Sequence, residues 1–185
     1  MSFGQISITA IGTPYNENFD SMGVAGTTFV TGGTAIRVGG TGTVGATLTM
    51  AVDDGSLASG NVYNLGTSAA GERAFGTIES GSTVPAFGAS FINNTGSAIS
   101  TVSISAIMEQ WRTGGLNTLN EVVLFSYSLD ATNLSNGTWI PVTALNFSEI
   151  LTTTSDSVAV NGNLPGNQAS ISASISSLTW ANGTT

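Results

Sequence analysis

Short runs of alternating apolar and polar residues recur along this chain, and the clearest extends from Ala98 to Trp111. Because successive side chains of a strand point to opposite faces, this run predicts a strand with one apolar and one polar face. The apolar face holds Val102, Ile104, Ala106 and Met108, and the other face holds Ser103, Ser105, Ile107, Glu109 and Trp111. The last run has apolar residues at Ala169, Ile171, Ala173 and Ile175, alternating with serines. Both patterns are typical of antiparallel sheets with one solvated face.

Further strand candidates follow at the short intervals typical of β-sandwiches. The full set is Gln5–Ile11, Thr27–Thr31, Ala35–Val38, Ala46–Val52, Asn61–Leu65, Arg73–Glu79, Pro85–Ile92, Ala98–Trp111, Glu121–Ser128, Thr138–Phe147, Ser157–Val160 and Gln168–Leu178. The segment Asn93–Ser97 predicts a hairpin loop that joins the runs on either side of it. We therefore predict an all-β fold, an antiparallel two-sheet β-sandwich.

Composition supports one folded domain over residues 1–185. The chain has 24 glycines and 41% hydrophobic residues. Abundant Ser, Thr and Asn disfavour helices, since these side chains compete for backbone hydrogen bonds, whereas Thr and Val suit strands. The apolar content is high enough to offset the entropy of folding, so we expect a packed core rather than a disordered segment.

The charge of the chain disfavours several classes of partner. Three basic and 11 acidic residues give a net charge of -8, so nucleic acids and anionic membrane surfaces are disfavoured. No run approaches the ~18 apolar residues of a membrane span. The chain has no His, Cys or Lys, which excludes the usual zinc ligands and the common bases and nucleophiles of catalysis. We expect a protein that is not an enzyme.

Two of the three arginines lie beside glutamates, in the groups Glu72-Arg73 and Glu109-Gln110-Trp111-Arg112. One interpretation is structural: Arg73 and Arg112 form ion pairs with Glu72 and Glu109 beneath a loop, because the guanidinium fork suits carboxylates. In the other, Glu109, Trp111 and Arg112 line a groove for a sugar or peptide, with Tyr127 nearby. An Arg112–Glu109 pair requires a bulge or a strand end.

A turn between two strands is predicted from Tyr127 to Trp139. There Asp130 is expected to accept backbone N–H bonds, and Trp139 is expected to pack into the core near Tyr127. The alternative for Trp139 is a platform on which a sugar stacks.

Four segments together resemble a known family: NENFDSMG, DDGSLASGNVYNLGTSAAGERAFG, FINNTGSAISTVSISAIMEQWR and LFSYSLDATNLSNGTWIPVTALNF. The family is a jelly-roll-like β-sandwich accessory domain of bacterial secreted and cell-surface multidomain proteins. The resemblance covers residues 5–185, apart from Val24–Thr49. It implies a jelly-roll-like fold and a secreted or surface location. Ser2-Phe3-Gly4 also has the small-x-small pattern of a signal-peptide cleavage site.

Two further expectations come from this resemblance. Such domains continue with an apolar strand and an acidic segment beyond the point that corresponds to Thr185, so we expect a missing final strand and an open sheet edge. Jelly-roll modules also hold structural calcium beside an early acidic segment, here Glu17 and Asp20. A second calcium candidate is Asp53-Asp54, whose residues alternatively form a simple turn.

These observations support two hypotheses of function. The first is a non-catalytic binding module for carbohydrate or another surface polymer, which uses Trp111, Tyr127 and Trp139. The second is a structural or adhesive subunit that self-associates when a neighbouring chain completes its open sheet edge.

Overall fold

The structure is a computed structural model that describes residues 4–115, 121–152 and 156–185. In those ranges the regular elements are strands and single turns of 3₁₀ helix. The strands are β1 (Ile6–Ile8), β2 (Gly33–Gly39), β3 (Ala51–Asp53), β4 (Asn61–Leu65), β5 (Ala74–Ile78), β6 (Val84–Ala89), β7 (Phe91–Asn93), β8 (Val102–Glu109), β9 (Val122–Val123), β10 (Ser126–Tyr127), β11 (Ile140–Pro141), β12 (Phe147–Ser148) and β13 (Gln168–Ile175). The 3₁₀ turns are Asp20–Met22, Thr143–Leu145 and Pro165–Asn167. The predicted all-β fold class is confirmed.

The strands form one three-stranded sheet, β3-β4-β5, and five two-stranded ribbons. The ribbons are β1-β7, β2-β6, β8-β13, β9-β12 and β10-β11. Most pairs are antiparallel, but β1-β7 and β3-β4 are parallel. The prediction of wholly antiparallel pairing is therefore wrong at two places.

Strand β4 lies between two apolar clusters, because its successive side chains point to opposite sides. Val62 belongs to one cluster, with Met22, Ala35, Leu48 and Met50. Tyr63 and Leu65 belong to the second cluster, which also contains Trp111. Four successive residues of β4, from Val62 to Leu65, are buried, so this strand is the centre of the core.

Aromatic rings fill the first cluster. Phe75 on β5 packs edge-to-face against Phe87, with ring centroids 4.7 Å apart, and against Phe29 at 5.6 Å. Phe19 lies against the same ring at 6.0 Å. Such contacts add about 0.5–1.5 kcal/mol each to the burial of the rings. They tie the loop before β2 to the sheet.

The β8-β13 ribbon has the two faces that its sequence predicts. Ser103, Ser105 and Ile107 are exposed, while Val102, Ile104 and Ala106 are half-buried and Met108 is buried. The register pairs Ser103 with Ser174 and Ser105 with Ser172, and the hydroxyls of Ser103 and Ser174 lie 2.8 Å apart. The predicted in-out alternation of these two strands is confirmed.

The predicted hairpin around Asn93–Ser97 is wrong. β7 pairs with β1 and β8 pairs with β13, so the strands on either side of this loop are not partners. The reason is the side chain of Asn93, which is fully buried. Its amide donates to the carbonyls of Ser97 and Trp180, and its Oδ1 accepts the Thr95 N–H. These bonds turn the chain and join it to the C-terminal segment instead.

Other predicted strands also differ from the structure: Ala46–Val52 is a strand only from Ala51, and Glu121–Ser128 divides into β9 and β10. Thr27–Thr31 forms no strand, and Ser157–Val160 contributes only an isolated bridge between Ala159 and Arg112. Thr138–Phe147 is interrupted by the 3₁₀ turn Thr143–Leu145. Ser2 and Phe3, which form part of the predicted cleavage site, lie outside the described residues.

Candidate functional site

Trp111 lies in the core rather than in a groove. Its side chain is 4% exposed and packs with Tyr63 and Leu65. The indole N–H donates to Glu109 Oε2 at 2.9 Å, and the Gln168 amide donates to Glu109 Oε1 at 3.1 Å. The interpretation in which Trp111 stacks on a ligand is therefore wrong, because neither face of the ring is open.

Glu109 is an acceptor for these two donors in a partly buried place. Burial raises the pKa of its carboxyl group, and nearby Glu72 adds to this effect. The hydrogen bonds from Trp111 and Gln168 act in the opposite direction and lower the pKa. The net direction is upward, since removing the charged form from water outweighs the two bonds.

Arg112 joins two loops. Its Nη1 donates to the carbonyls of Gly55 and Ser56, and its Nη2 donates to the carbonyl of Ser157 at 2.8 Å. All of its hydrogen-bond acceptors are neutral oxygens, so the structure does not bring Arg112 and Glu109 together as an ion pair. The physical reason is local: Glu109 accepts from the indole and the amide, while within the described residues the Gly55, Ser56 and Ser157 carbonyls have Arg112 as their donor.

Asp53 and Asp54 stabilise the turn that Arg112 holds. Asp53 Oδ2 accepts the Gly55 N–H at 3.0 Å, and Asp53 Oδ1 accepts the Ser56 hydroxyl at 3.0 Å. Asp54 Oδ1 accepts the Ser56 N–H at 3.2 Å. Hydrogen bonding from the Ser56 side chain, together with that from its backbone N–H, lowers the pKa of the Asp54 carboxyl group. The two carboxylates therefore act as caps of an Asx-type turn.

Arg73 is the most deeply buried charge in the described ranges, with 2% of its surface exposed. Its Nε donates to Asn64 Oδ1 at 2.6 Å and its Nη2 to the Asn64 carbonyl at 2.7 Å. Asn64 is fully buried, and its amide donates to the carbonyls of Gly23 and Gly26, each at 2.9 Å. Arg73 and Asn64 thus join β4, β5 and the loop after Met22 in one network.

Glu72 does not form the predicted ion pair with Arg73. In the described ranges, no carboxylate oxygen lies within 4.0 Å of a guanidinium nitrogen. Burial lowers the pKa of Arg73, and the charge of Glu72 opposes that shift. The Arg73 backbone N–H donates to Asp20 Oδ1 at 3.0 Å, so a carboxylate holds the backbone of Arg73 and not its side chain.

A groove opens beside Arg73. It has a volume of about 460 Å³ and is lined by Val24, Val52, Asp53, Asp54, Gly66, Thr67, Ser68, Ala69 and Arg73. A Cβ on Gly66 would come within 2.1 Å of Arg73 Nη1, so only glycine leaves room for the guanidinium here. Ala69, on the loop that follows, has a left-handed backbone with φ 62°.

The calcium candidates do not fit that ion. Glu17 Oε1 accepts the Phe19 N–H at 2.7 Å, and Asp20 Oδ2 accepts the Asn18 amide at 2.7 Å. Among the described residues, no group of three or more His, Cys, Asp and Glu is placed to hold a metal. Calcium takes about 6–8 oxygen ligands, whereas Glu17, Asp53 and Asp54 accept hydrogen bonds within their own turns and Asp20 also accepts the Arg73 backbone N–H.

The turn from Ser128 to Trp139 is a polar loop at the surface. Asp130 Oδ1 accepts the Thr138 N–H at 2.7 Å, as its sequence predicts, and these bonds lower the pKa of Asp130. Asn136 Oδ1 accepts the N–H groups of Thr132 and Asn133. The loop is thus held by side chains rather than by strand pairing.

Trp139 is 38% exposed, so its predicted packing into the core is wrong. Its indole N–H donates to the Asn136 carbonyl at 2.8 Å, which fixes the ring on the loop. Tyr127 pairs with Ile140, the residue after Trp139, and is half-buried. Of the predicted ligand-binding aromatics, these two lie close together along the β10-β11 ribbon, while Trp111 is remote in the core.

Sequence reasoning overlooked the buried amides. Asn64 and Asn93 have no exposed surface, and Gln110 Oε1 accepts the N–H groups of Ile150 and Leu151. One signal was present for Asn64, since it interrupts the apolar sequence Val62-Tyr63-Asn64-Leu65. An amide in such a place requires partners of its own.

In comparisons with known proteins, no family model, no curated protein and no solved structure matches this chain. Within the described ranges, no helix has the length and apolar character that a membrane span requires.

Proposed function

We propose that this chain is a non-catalytic β-sandwich module, jelly-roll-like in its arrangement, that belongs to a secreted or cell-surface bacterial protein and binds a polysaccharide. The two apolar clusters on either side of β4 support the sandwich, since two facing layers each bury their inner side chains. The absence of His, Cys and Lys from the sequence supports a role in binding rather than catalysis.

The single observation that carries the binding role is the exposed, fixed ring of Trp139. Its indole N–H donates to the Asn136 carbonyl, which holds the ring in one orientation. The side chain therefore loses little conformational entropy when a ligand stacks on it. The loop that carries the ring supplies a neutral acceptor, the Thr138 hydroxyl oxygen, whose own proton is donated to Asp130 Oδ2. It also supplies a neutral donor, the side-chain NH₂ of Asn133, whose Oδ1 accepts hydrogen bonds from Ser135. Sugar rings present C–H faces to aromatic rings and hydroxyl groups to such neighbours, which favours a neutral carbohydrate.

The experiment is affinity electrophoresis and a glycan array with the wild-type chain and Trp139→Ala. We expect retarded migration in at least one polysaccharide gel, with at least about a tenfold loss of affinity for Trp139→Ala. Trp139→Phe should retain most of the binding, because the stacking face remains.

Leu124→Ala is the matched control, because Leu124 is 77% exposed and its loss removes apolar surface without an aromatic ring. It should bind like the wild type. If the wild-type chain binds no glycan above background, or if Leu124→Ala and Trp139→Ala lose the same amount of affinity, the proposal is overturned.

A second candidate function rests on the β8-β13 ribbon. Each strand has eight residues and, within the described ranges, pairs only with the other, so both have an open outer edge. Open edges pair with other chains unless charge or shape prevents it. The exposed residues of β8 are two serines and Ile107, which supports a structural or adhesive subunit that associates with its own copies.

Light scattering over a range of micromolar concentrations tests this second candidate. If the edges associate, Ile107→Lys should yield monomers, because a lysine on an edge strand opposes pairing. Ile107→Ser, which adds no charge, should remain associated. A wild-type chain that is monomeric at every concentration would exclude this role.

A further inference from the structure

The groove beside Arg73 contains an unused cationic donor. Nε and Nη2 of Arg73 are bound to Asn64, but Nη1 has no hydrogen-bond partner among the residues that the structure describes. The residue is only 2% exposed, and it lines the groove together with Gly66, against which Nη1 lies. Nη1 keeps solvent-accessible surface, because Asn163 Oδ1 is the one buried side-chain atom without a partner in the described ranges. A ligand at this N–H group would therefore replace water.

Arg73 has no ion-pair partner in the described ranges, although the nearby charge of Glu72 acts on it. Its bound acceptors are an amide oxygen and a carbonyl, both neutral. Asp53, in the groove wall, has both carboxylate oxygens engaged by the turn that follows it. An anionic group placed at Nη1 would therefore meet a cation that the described part of the protein leaves without an ion pair.

The other walls restrict which anion fits. Asp54 is exposed, and its lowered pKa keeps it ionised at neutral pH, so it repels a second negative charge but accepts hydrogen bonds from hydroxyl groups. Thr67 and Ser68 supply hydroxyls, and Val24 and Val52 supply apolar surface. The groove thus combines one cationic N–H donor on Arg73 with hydrogen-bond acceptors and an apolar surface.

We propose that this groove binds a sugar acid, a ring with one carboxylate and several hydroxyl groups. The carboxylate accepts a hydrogen bond from Arg73 Nη1, the hydroxyls donate to Asp54, and the C–H face lies on Val24 and Val52. The volume of about 460 Å³ falls within the ~300–1,000 Å³ of small-ligand pockets. The site is separate from Trp139 and does not rest on the proposed function.

Arginine Nε–H resonances in ¹⁵N-edited NMR spectra provide a direct test. The chain has three basic residues, Arg37, Arg73 and Arg112, so each signal can be assigned by substituting Arg37 or Arg112. We expect galacturonate at millimolar concentration to shift the Arg73 signal saturably and to leave the other two in place. Galactose and acetate should each bind at least about tenfold more weakly.

Substitutions at position 24 provide a matched pair outside the buried network. Val24 is 48% exposed, so both Val24→Asp and Val24→Asn should fold, which the remaining amide spectrum verifies. Val24→Asp adds a negative charge to the groove and should weaken galacturonate binding about tenfold more than Val24→Asn does.

Asp54→Asn tests the role of the hydroxyl groups. Its amide oxygen can still cap Ser56, but the wall loses its charge, so acetate should bind more tightly and the preference for galacturonate should fall. Trp139→Ala should leave all titrations unchanged, which separates this site from the polysaccharide surface. An Arg73 signal that does not move, that moves equally with galactose, or that moves together with Arg37 and Arg112 would overturn the proposal.

Discussion

Arg73 and Asn64 illustrate how a chain with few charges uses one of them inside its core. Asn64 bonds both to the guanidinium and to the carbonyls of the Gly23–Gly26 loop, so each group depends on the other. An arginine without an adjacent carboxylate is tolerated here because neutral oxygens, arranged around two of its nitrogens, replace water. The same arrangement leaves Nη1 available at the groove.

Replacing Asn64 tests this dependence. Asn64→Leu keeps the volume but leaves Arg73 Nε and two carbonyls unpaired, so we expect a loss of about 3–5 kcal/mol in the free energy of unfolding. Asn61→Ala on the same strand removes one exposed bond to the Thr49 carbonyl and should cost about 1 kcal/mol. Urea denaturation with equal m-values measures both. Equal losses for the two variants would show that the buried network adds nothing.

At the scale of elements, the turn after β3 joins distant parts of the chain. Asp53 caps it, Arg112 binds its carbonyls, and Gly55 packs against the backbone of Trp111. Gly55 has φ +93°, and a Cβ there would lie 1.8 Å from the Trp111 carbonyl oxygen. The turn therefore needs glycine for two reasons, its backbone conformation and the contact with its neighbour.

Two glycine substitutions separate those reasons. Gly55→Ala should lower the free energy of unfolding by at least about 3 kcal/mol, since it adds a clash to the strain of positive φ. Gly12 has φ +82°, and nothing lies within 4 Å of the place that a Cβ would take. Gly12→Ala should therefore cost only the strain, about 1–2 kcal/mol. Thermal melts of both variants measure the difference, and a similar melting temperature for the two would contradict the proposed contact.

The elements also mark the limit of what the sequence predicts. Alternation correctly predicted strand β4 and the two faces of β8 and β13, because burial of one face imposes a period of two. It failed where side chains bind backbone carbonyls, which alternation does not encode. Asn93 donates to the Trp180 carbonyl, far along the chain, and diverts β7 to β1. Trp139 remains at the surface because its indole N–H donates to the carbonyl of Asn136, three residues before it.

At the scale of the whole molecule, the excess of acidic residues predicts a fold that gains stability on mild acidification. Burial raises the pKa of Glu109, and burial together with Glu149 and Glu79 raises that of Glu121. At a pH between the ordinary pKa and the raised pKa, the folded state binds more protons than the unfolded state. Stability contributed in this way is present below the ordinary pKa and is lost as pH rises through the raised one.

Melting temperatures should therefore rise as the pH falls from neutral toward the ordinary glutamate pKa of 4.5. Glu121→Gln should raise the melting temperature at neutral pH and flatten this rise, because the charge beside Glu149 is gone. Asp130 provides a control of opposite sign: its pKa is lowered below the ordinary 3.8, so its contribution to stability is lost only as the pH falls below that value. Asp130→Asn should therefore leave the rise at higher pH unchanged and reduce the loss of stability in stronger acid. A melting temperature that falls steadily as the pH is lowered from neutral would contradict the raised pKa values of Glu109 and Glu121.

The two ends of the described chain are fastened to one another. Gln5 Nε2 donates to the Thr185 hydroxyl, Asn93 donates to the Trp180 carbonyl, and Asn94 donates to the Ile8 carbonyl. A force applied between residues 5 and 185 would thus act first on the few hydrogen bonds around Asn93. We expect these bonds to break one at a time and not all together. In a single-molecule pulling experiment the contacts between the two ends should therefore break at low force, before the sheet centred on β4 unfolds.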